Sequence, residues 1–207
     1  MKKILIADDH SIIRSGIISF LKNAYPAVKT AEAINEETIL QQLKESAFDL
    51  LIMDMHMPDT NIFRLIEVIH ETYRATPILI FSMSPEKTFG VRVLKAGASG
   101  FLSKESSLDE MEKAVNLLLN NKKYVSEELA AVLADQSSSK TDNPFDSLSA
   151  REFQLANLLL QGKSLSDIAK QLKIEISTAS TYKSRIFIKL RVNNLFELKE
   201  MSTAYNL

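Results

Sequence analysis

The chain contains no cysteine. Disulfides, thiolate nucleophiles and cysteine-ligated zinc are excluded together, and a reducing compartment is the natural expectation. Glycine and proline are scarce, five of each in 207 residues, which argues against a fibrous or disordered chain. No stretch approaches the roughly 18 consecutive apolar residues of a membrane span. The apolar run at the start halts after five residues at Asp8-Asp9, too short and too acidic behind for a signal peptide. A cytoplasmic protein without membrane contact is expected. Charge excess is also lacking. The formal net charge is −1, so any nucleic-acid surface must be local.

What the chain does have is alternation. Its length suits one large domain or two small ones. Lys3–Ala7, Val28–Ala33, Leu50–Met53, Pro77–Ser82 and Ala98–Leu102 are short apolar runs that read as strands. Between and after them lie helical patterns: from His10-Ser11 with apolar Ile13, Ile17, Phe20 and Leu21; Glu36–Glu45 capped by Asn35; Asn61–Tyr73; a helix with Pro85 in its first turn running to about Ala96; and Leu108–Asn120, with Leu108, Met111, Val115 and Leu118 at helical spacing. Five strand–helix alternations with short connections predict a parallel sheet covered on both faces, with all strand tips on one edge. Ligands of such sheets sit beyond those tips.

The stretch Asp49–Pro58, DLLIMDMHMP, shows what the edge is for. An apolar run ends in Asp54, and Pro58 stops any regular element. A lone acid at a strand tip is usually a turn residue. Here Asp8 and Asp9 end the first strand, Ser82 the fourth, and Lys104 follows the fifth. Gathered carboxylates repel one another unless a hard cation such as Mg²⁺ shares their oxygens. Aspartate can act as a nucleophile toward phosphorus, with lysine and a hydroxyl stabilising the phosphoryl oxygens. His10, His56 and His70 are scattered and are expected to be solvated or loop residues, with His10 placed to tune the acidic pair.

The runs ILIADDH, DLLIMDMHMP, ILIFS and KAGASGFLSK resemble those of bacterial response-regulator receiver domains across residues 1–120. The resemblance implies a flavodoxin-like (βα)5 fold with Asp54 as phosphoacceptor. It implies Mg²⁺ held by Asp8, Asp9, Asp54 and the main-chain carbonyl of His56. Ser82 and Lys104 fill the hydroxyl and lysine positions, and Phe101 that of the switching aromatic. One departure stands out: Ile62 occupies a place where the family carries glycine, which implies a differently shaped loop after Asp54.

After Asn120 the pattern changes. Glu127–Ala134 reads as a short helix, and Gln136–Pro144 is Ser-rich, polar and linker-like. Beyond it only helices are expected: Ser149–Leu160 stopped by Gly162, Leu165–Leu172 capped by Ser164, about Ser177–Leu190, and Leu195–Tyr205. The third is basic, with Lys183, Arg185 and Lys189 and no acid, and it follows a short helix and turn. That is the pattern of a helix-turn-helix. Ala179, Ile186 and Leu190 would pack inward. Leu148–Leu198 resembles the LuxR-type domain of the NarL/FixJ class, through LSAREFQLANLLLQGKSLSDIAKQL and STASTYKSRIFIKL, and the STYKSR run is similar to its BvgA/EvgA branch. The resemblance implies double-stranded DNA contacts through Thr178, Ser180, Thr181, Tyr182, Lys183, Ser184, Arg185 and Lys189. Glu175 departs, standing where the family has a capping serine.

The expected organisation is a receiver at residues 1–120, a short helix and linker at 121–144, and a small all-α DNA-binding domain at 145–207. The expected function is that of a switch rather than a turnover enzyme: phosphorylation by a sensor histidine kinase, DNA binding as a homodimer, and control of transcription, with RNA polymerase a further candidate partner. Leu195, Leu198 and Met201 are expected to form an exposed dimer stripe. The alternatives are a phosphorylation-independent DNA-binding regulator and an aspartyl-nucleophile phosphatase. The latter lacks its usual D-x-D after the first strand and any insertion able to form a cap.

Overall fold

The computed structural model describes residues 1–57, 60–138 and 143–205. The turn expected at Pro58 and the middle of the Ser-rich stretch, 139–142, lie outside them. The chain divides into two compact units, Met1–Asp135 and Gln136–Leu207.

The first unit is built on strands β1 (Lys3–Ala7), β2 (Lys29–Ala33), β3 (Leu50–Met53), β4 (Ile78–Ser82) and β5 (Gly100–Ser103). All neighbours pair in parallel, in the order β2-β1-β3-β4-β5. Ile4, Leu5, Ile6, Leu50, Leu51, Ile52, Ile78, Leu79 and Ile80 are completely enclosed. That is the reason for unbroken apolar runs: both faces are covered, and each such side chain contributes about 1.5–3 kcal/mol on burial. Helices α1 (Ser11–Ala24), α2 (Glu36–Glu45), α3 (Ile62–Thr72), α4 (Glu86–Lys95) and α5 (Leu108–Leu119) supply the cover. Asn35 and Thr38 form a reciprocal capping box on α2, and Asn61 and Ser107 cap α3 and α5.

Three local expectations change. Pro85 precedes α4 at its N-cap instead of lying in the first turn. β5 begins at Gly100 because the Ala98 N–H is used to close the end of α4 on Val93. Leu108 opens α5 and is 69% exposed, while Met111, Val115 and Leu118 enter the core. Ile62 is buried in the first position of α3, so the residue that departs from the family fills core space on ordinary helical backbone.

After α5, the Tyr124 N–H donates to the Ser99 carbonyl at 3.0 Å, covering the edge of β5. Tyr124 is fully buried, and its hydroxyl donates to Glu110 Oε1 at 2.7 Å. Helix α6 (Glu127–Ser138) follows and reaches further than Ala134.

In the second unit a single 3₁₀ turn (Pro144–Ser147), not foreseen, precedes α7 (Ala150–Leu160), α8 (Leu165–Leu172), α9 (Ile176–Leu190) and α10 (Leu195–Ala204). α7 is central and packs against the other three. Ala179, Ile186 and Leu190 are the inward face of α9, as their spacing predicts. Of the stripe expected on α10, Leu195 is exposed, Met201 is half-buried and Leu198 is buried completely, while Phe196, not part of it, is exposed. Lys173 and Arg191 end α8 and α9 in the left-handed region, at φ of 44° and 55°.

One ion pair ties this unit together. Ser149 and Glu152 form a capping box at the start of α7. The buried Glu152 carboxylate also receives Lys189 Nζ at 2.6 Å, and the same ammonium donates to the Ser147 carbonyl at 3.2 Å. Burial works against Glu152 ionisation, but Lys189 and the Ser149 donors outweigh it and lower its pKa. Its contribution is complete above its ordinary value near 4.5 and is lost as pH falls through the depressed one. Glu152→Ala is expected to destabilise the helical unit by about 1–2 kcal/mol at pH 7, read by chemical denaturation of the full chain, with the deficit shrinking in acid.

Candidate functional site

The register of the sheet assembles the site. Ala7 pairs with both Ala33 and Met53, and the Asp54 N–H donates to the Ala7 carbonyl at 2.8 Å. Asp8 and Asp54 therefore leave adjacent tips side by side. Ser82 pairs with Ser103, and the Lys104 N–H donates to the Ser82 carbonyl at 2.9 Å. The lysine stem then reaches back across β4. Lys104 Nζ lies 2.6 Å from Asp8 Oδ2 and 3.0 Å from Asp54 Oδ1. Asp8, Asp54 and Ser82 are buried. Burial alone would favour the neutral amine, but the two carboxylates outweigh it and hold the Lys104 pKa above its usual value.

Asp9 is half-buried beside them. Its Oδ1 is enclosed yet accepts no well-aligned hydrogen bond, although His10 Nδ1 lies 2.8 Å away. The same ring nitrogen is 3.2 Å from Asp8 Oδ1, which also accepts the His10 N–H at 2.8 Å. Ligand atoms of Asp8, Asp9 and His10 lie within 4.8 Å of one another. His56 closes the other side: its N–H donates to Asp54 Oδ2 at 3.2 Å, and its Nε2 is 2.5 Å from Ser84 Oγ. The Ser84 N–H in turn donates to Ser82 Oγ at 3.1 Å. The Ser84 bridge carried no sequence signal, because a serine two residues past a strand has no pattern of its own. Arg14 holds the outer edge, donating to the Asp8 carbonyl and pairing with Glu32 at 2.7 Å. Phe101 is fully buried in β5, opposite Ile80.

The second candidate surface is the outer side of α9. Thr178, Ser180, Thr181, Ser184 and Arg185 are exposed, and Tyr182 and Lys183 are half-buried. Thr181 and Ser184 hydroxyls donate to the carbonyls of Ser177 and Ser180. Lys183 Nζ sits 5.3 Å from the centre of the Phe187 ring. Lys189, expected among the DNA contacts, has its ammonium committed to Glu152 and Ser147, so its first duty is to hold α9 on α7. Glu175 stands at the N-cap of α9 but makes no side-chain cap, leaving the first turn without that support.

Lys104 is the counter-charge on which the strand-tip acids depend. Lys104→Ala should cost about 3 kcal/mol of receiver stability at pH 7, measured by denaturant unfolding without divalent cation. A raised lysine pKa stabilises fully below its ordinary value and fades as pH climbs through the raised one. The difference between the two proteins should therefore hold through neutral pH and narrow in strong alkali, as Lys104 gives up its proton.

Residues 4–116 match the response regulator receiver domain family, and residues 146–202 match the bacterial regulatory proteins of the luxR family. Over its whole length the chain is 30% identical to the response regulator GacA of Pseudomonas aeruginosa, covering 98% of it. It is 28% identical to the response regulator UvrY of Escherichia coli K12, covering 96% of that protein. A structure of two RcsB dimers bound to two parallel DNAs is similar over 98% of each chain, at 25% identity and a TM-score of 0.61. No helix among the described residues is long and apolar enough to cross a membrane. Since the receiver match spans more than half of the sequence and GacA aligns along all of it, the chain belongs to the response regulators, as a receiver joined to a luxR-family DNA-binding domain.

Proposed function

We propose that Asp54 is the phosphorylated residue through which a sensor histidine kinase controls DNA binding and transcription by this protein. The observation that carries the reading is the placement of Asp54: buried at the central strand tip, ion-paired to Lys104 and next to Asp8. An Asp54 oxygen attacks the phosphorus of the kinase phosphohistidine. An O–P bond forms, the N–P bond breaks, and the electron pair stays on the imidazole nitrogen. Lys104, already charged, is within reach of the new phosphoryl oxygens. The Ser82 hydroxyl is placed to donate to one of them, and Phe101 is the aromatic that responds to its movement. Nothing turns over: the product is the modified protein itself.

Asp8, Asp9, Asp54 and the main-chain carbonyl of His56 are proposed to hold Mg²⁺. The fit rests on an all-oxygen donor set and on the enclosed Asp9 oxygen that lacks a well-aligned donor. When bound, the ion supplies charge neutralisation for the phosphoryl group. His10 Nδ1 sits against the same carboxylates and would have to yield its contact with Asp9.

For output, Thr178, Ser180, Thr181, Tyr182, Lys183, Ser184 and Arg185 are proposed to face double-stranded DNA, with Lys189 contributing only if Glu152 releases it. The RcsB structure holds dimers on DNA. By that likeness, a homodimer of this chain on two half-sites is proposed, with the cytoplasm as its place of action and RNA polymerase as a further partner. The proposed limits are residues 1–120 for the receiver, 121–144 for the connecting helix and linker, and 145–207 for the DNA-binding domain.

With acetyl phosphate and Mg²⁺, intact-mass spectrometry should show one added phosphoryl group in the wild type and none in Asp54→Ala; equal uptake by the variant would overturn the assignment. Arg185→Ala should weaken binding to duplex DNA and lower the slope of log affinity against log salt by about one. An unaltered slope removes Arg185 from the phosphate contacts.

A further inference from the structure

The first turn of α6 is fastened to α4 by three separate contacts. Ser126, just before α6, donates its hydroxyl to Glu86 Oε2 at 2.8 Å and accepts the Leu129 N–H at 3.0 Å. Lys87 pairs with Glu128 at 2.8 Å on the exposed side. Leu129 is fully buried, the only enclosed side chain among the described α6 residues, and it lies over Gly90. A Cβ at position 90 would stand 2.8 and 2.9 Å from the two Leu129 methyl carbons. Glycine inside a helix is ordinarily unfavourable. Here its missing side chain is the space that Leu129 occupies.

The same α4 begins beside the phosphorylation pocket. From Asp54 Oδ2 a line of hydrogen bonds runs through the His56 N–H, His56 Nε2, Ser84 Oγ and the Ser84 N–H to Ser82 Oγ. Pro85 alone separates Ser84 from Glu86, the residue that receives Ser126. The loop between β4 and α4 thus has the pocket at one end and the α6 attachment at the other. Ser82 Oγ accepts the Ser84 N–H, and a phosphoryl oxygen on Asp54, by accepting the Ser82 hydroxyl proton, draws Oγ toward Asp54 and away from that N–H. The attachment is also weak in a specific way. Glu86 Oε1 is enclosed in the docked state without a hydrogen-bond partner, so release of α6 returns that oxygen to water.

We propose that the first turn of α6 is a latch, docked on α4 at Glu86, Lys87 and Gly90, which loosens when Asp54 is phosphorylated and so passes the receiver's state into the segment that leads to the DNA-binding domain. The proposal rests on the reading of Asp54 as phosphoacceptor. It adds the element that moves and the contacts that restrain it. Partial burial with few anchoring side chains is the physical character of a segment that opens locally before its domain unfolds.

Hydrogen exchange followed by mass spectrometry on the full chain tests it, with and without acetyl phosphate and Mg²⁺, each sample's intact mass recording the phosphoryl group. In phosphorylated wild type, amides of residues 127–134 should exchange at least about tenfold faster, while those of α5 keep their rates. Gly90→Ala fills the Leu129 seat and Ser126→Ala removes the tie to Glu86. Both variants should show fast α6 exchange before phosphorylation and still take up the phosphoryl group. Unchanged α6 exchange in a sample whose mass confirms phosphorylation overturns the latch and leaves the Asp54 assignment standing. Wild-type α6 rates in unphosphorylated Gly90→Ala and Ser126→Ala overturn these contacts as the restraint. No added mass in wild type overturns both.

Discussion

The fold of the receiver turns on one electrostatic constraint: two carboxylates are buried side by side, and one lysine answers both. Asp8 and Asp54 adjoin because Ala7 pairs with Met53 in a parallel ladder. Their burial is tolerable because Lys104 spans the tip of β4 to reach them. An unpaired buried charge costs several kcal/mol, so an error of one residue in the register of β3 or β5 would break the arrangement. The enclosed strands are thus more than a core. They are the jig that holds three charges at hydrogen-bonding distance.

The helical unit solves a smaller version of the same problem. Glu152 is buried where its carboxylate accepts the Ser149 N–H while its own N–H donates to the Ser149 hydroxyl, and Lys189 neutralises it from α9. Helix α9 is consequently anchored to the central helix by its own cation. Outward on α9 lie a hydroxyl-rich set of side chains, Arg185, and Lys183 leaning on Phe187, with Ile176 and Ile188 also exposed.

Much of this was legible from residue order. Strands covered on both faces are apolar until they stop, so Asp8, Asp54 and Ser82 announced the sheet edge themselves, and Lys104 came within two residues of the last tip. Ala179, Ile186 and Leu190 were equally readable, since their spacing returns to one side of a helix. The rest depended on partners distant in sequence. Glu152 and Lys189 each look like ordinary surface ions until α7 and α9 are packed together. Leu198 could have faced either way, and only the packing of α10 in the folded unit decides. Leu108 has the right period but precedes the point at which α5 meets the sheet. Gly90 is merely a poor helix residue until Leu129 is placed above it, and Pro85 shifts by one position because its fixed φ suits the N-cap as well as the first turn.

Lys173 and Arg191 are the residues that end α8 and α9 with left-handed backbone, a conformation costing a side-chain-bearing residue about 1–2 kcal/mol relative to glycine. Both are cations at the carbonyl end of a helix, where the dipole favours positive charge. The chain as a whole has a formal net charge of −1. Its helical unit thus accepts a local backbone cost at two positions where glycine would be easier, and the charge carried by each residue returns part of that cost through its attraction to the helix end it closes.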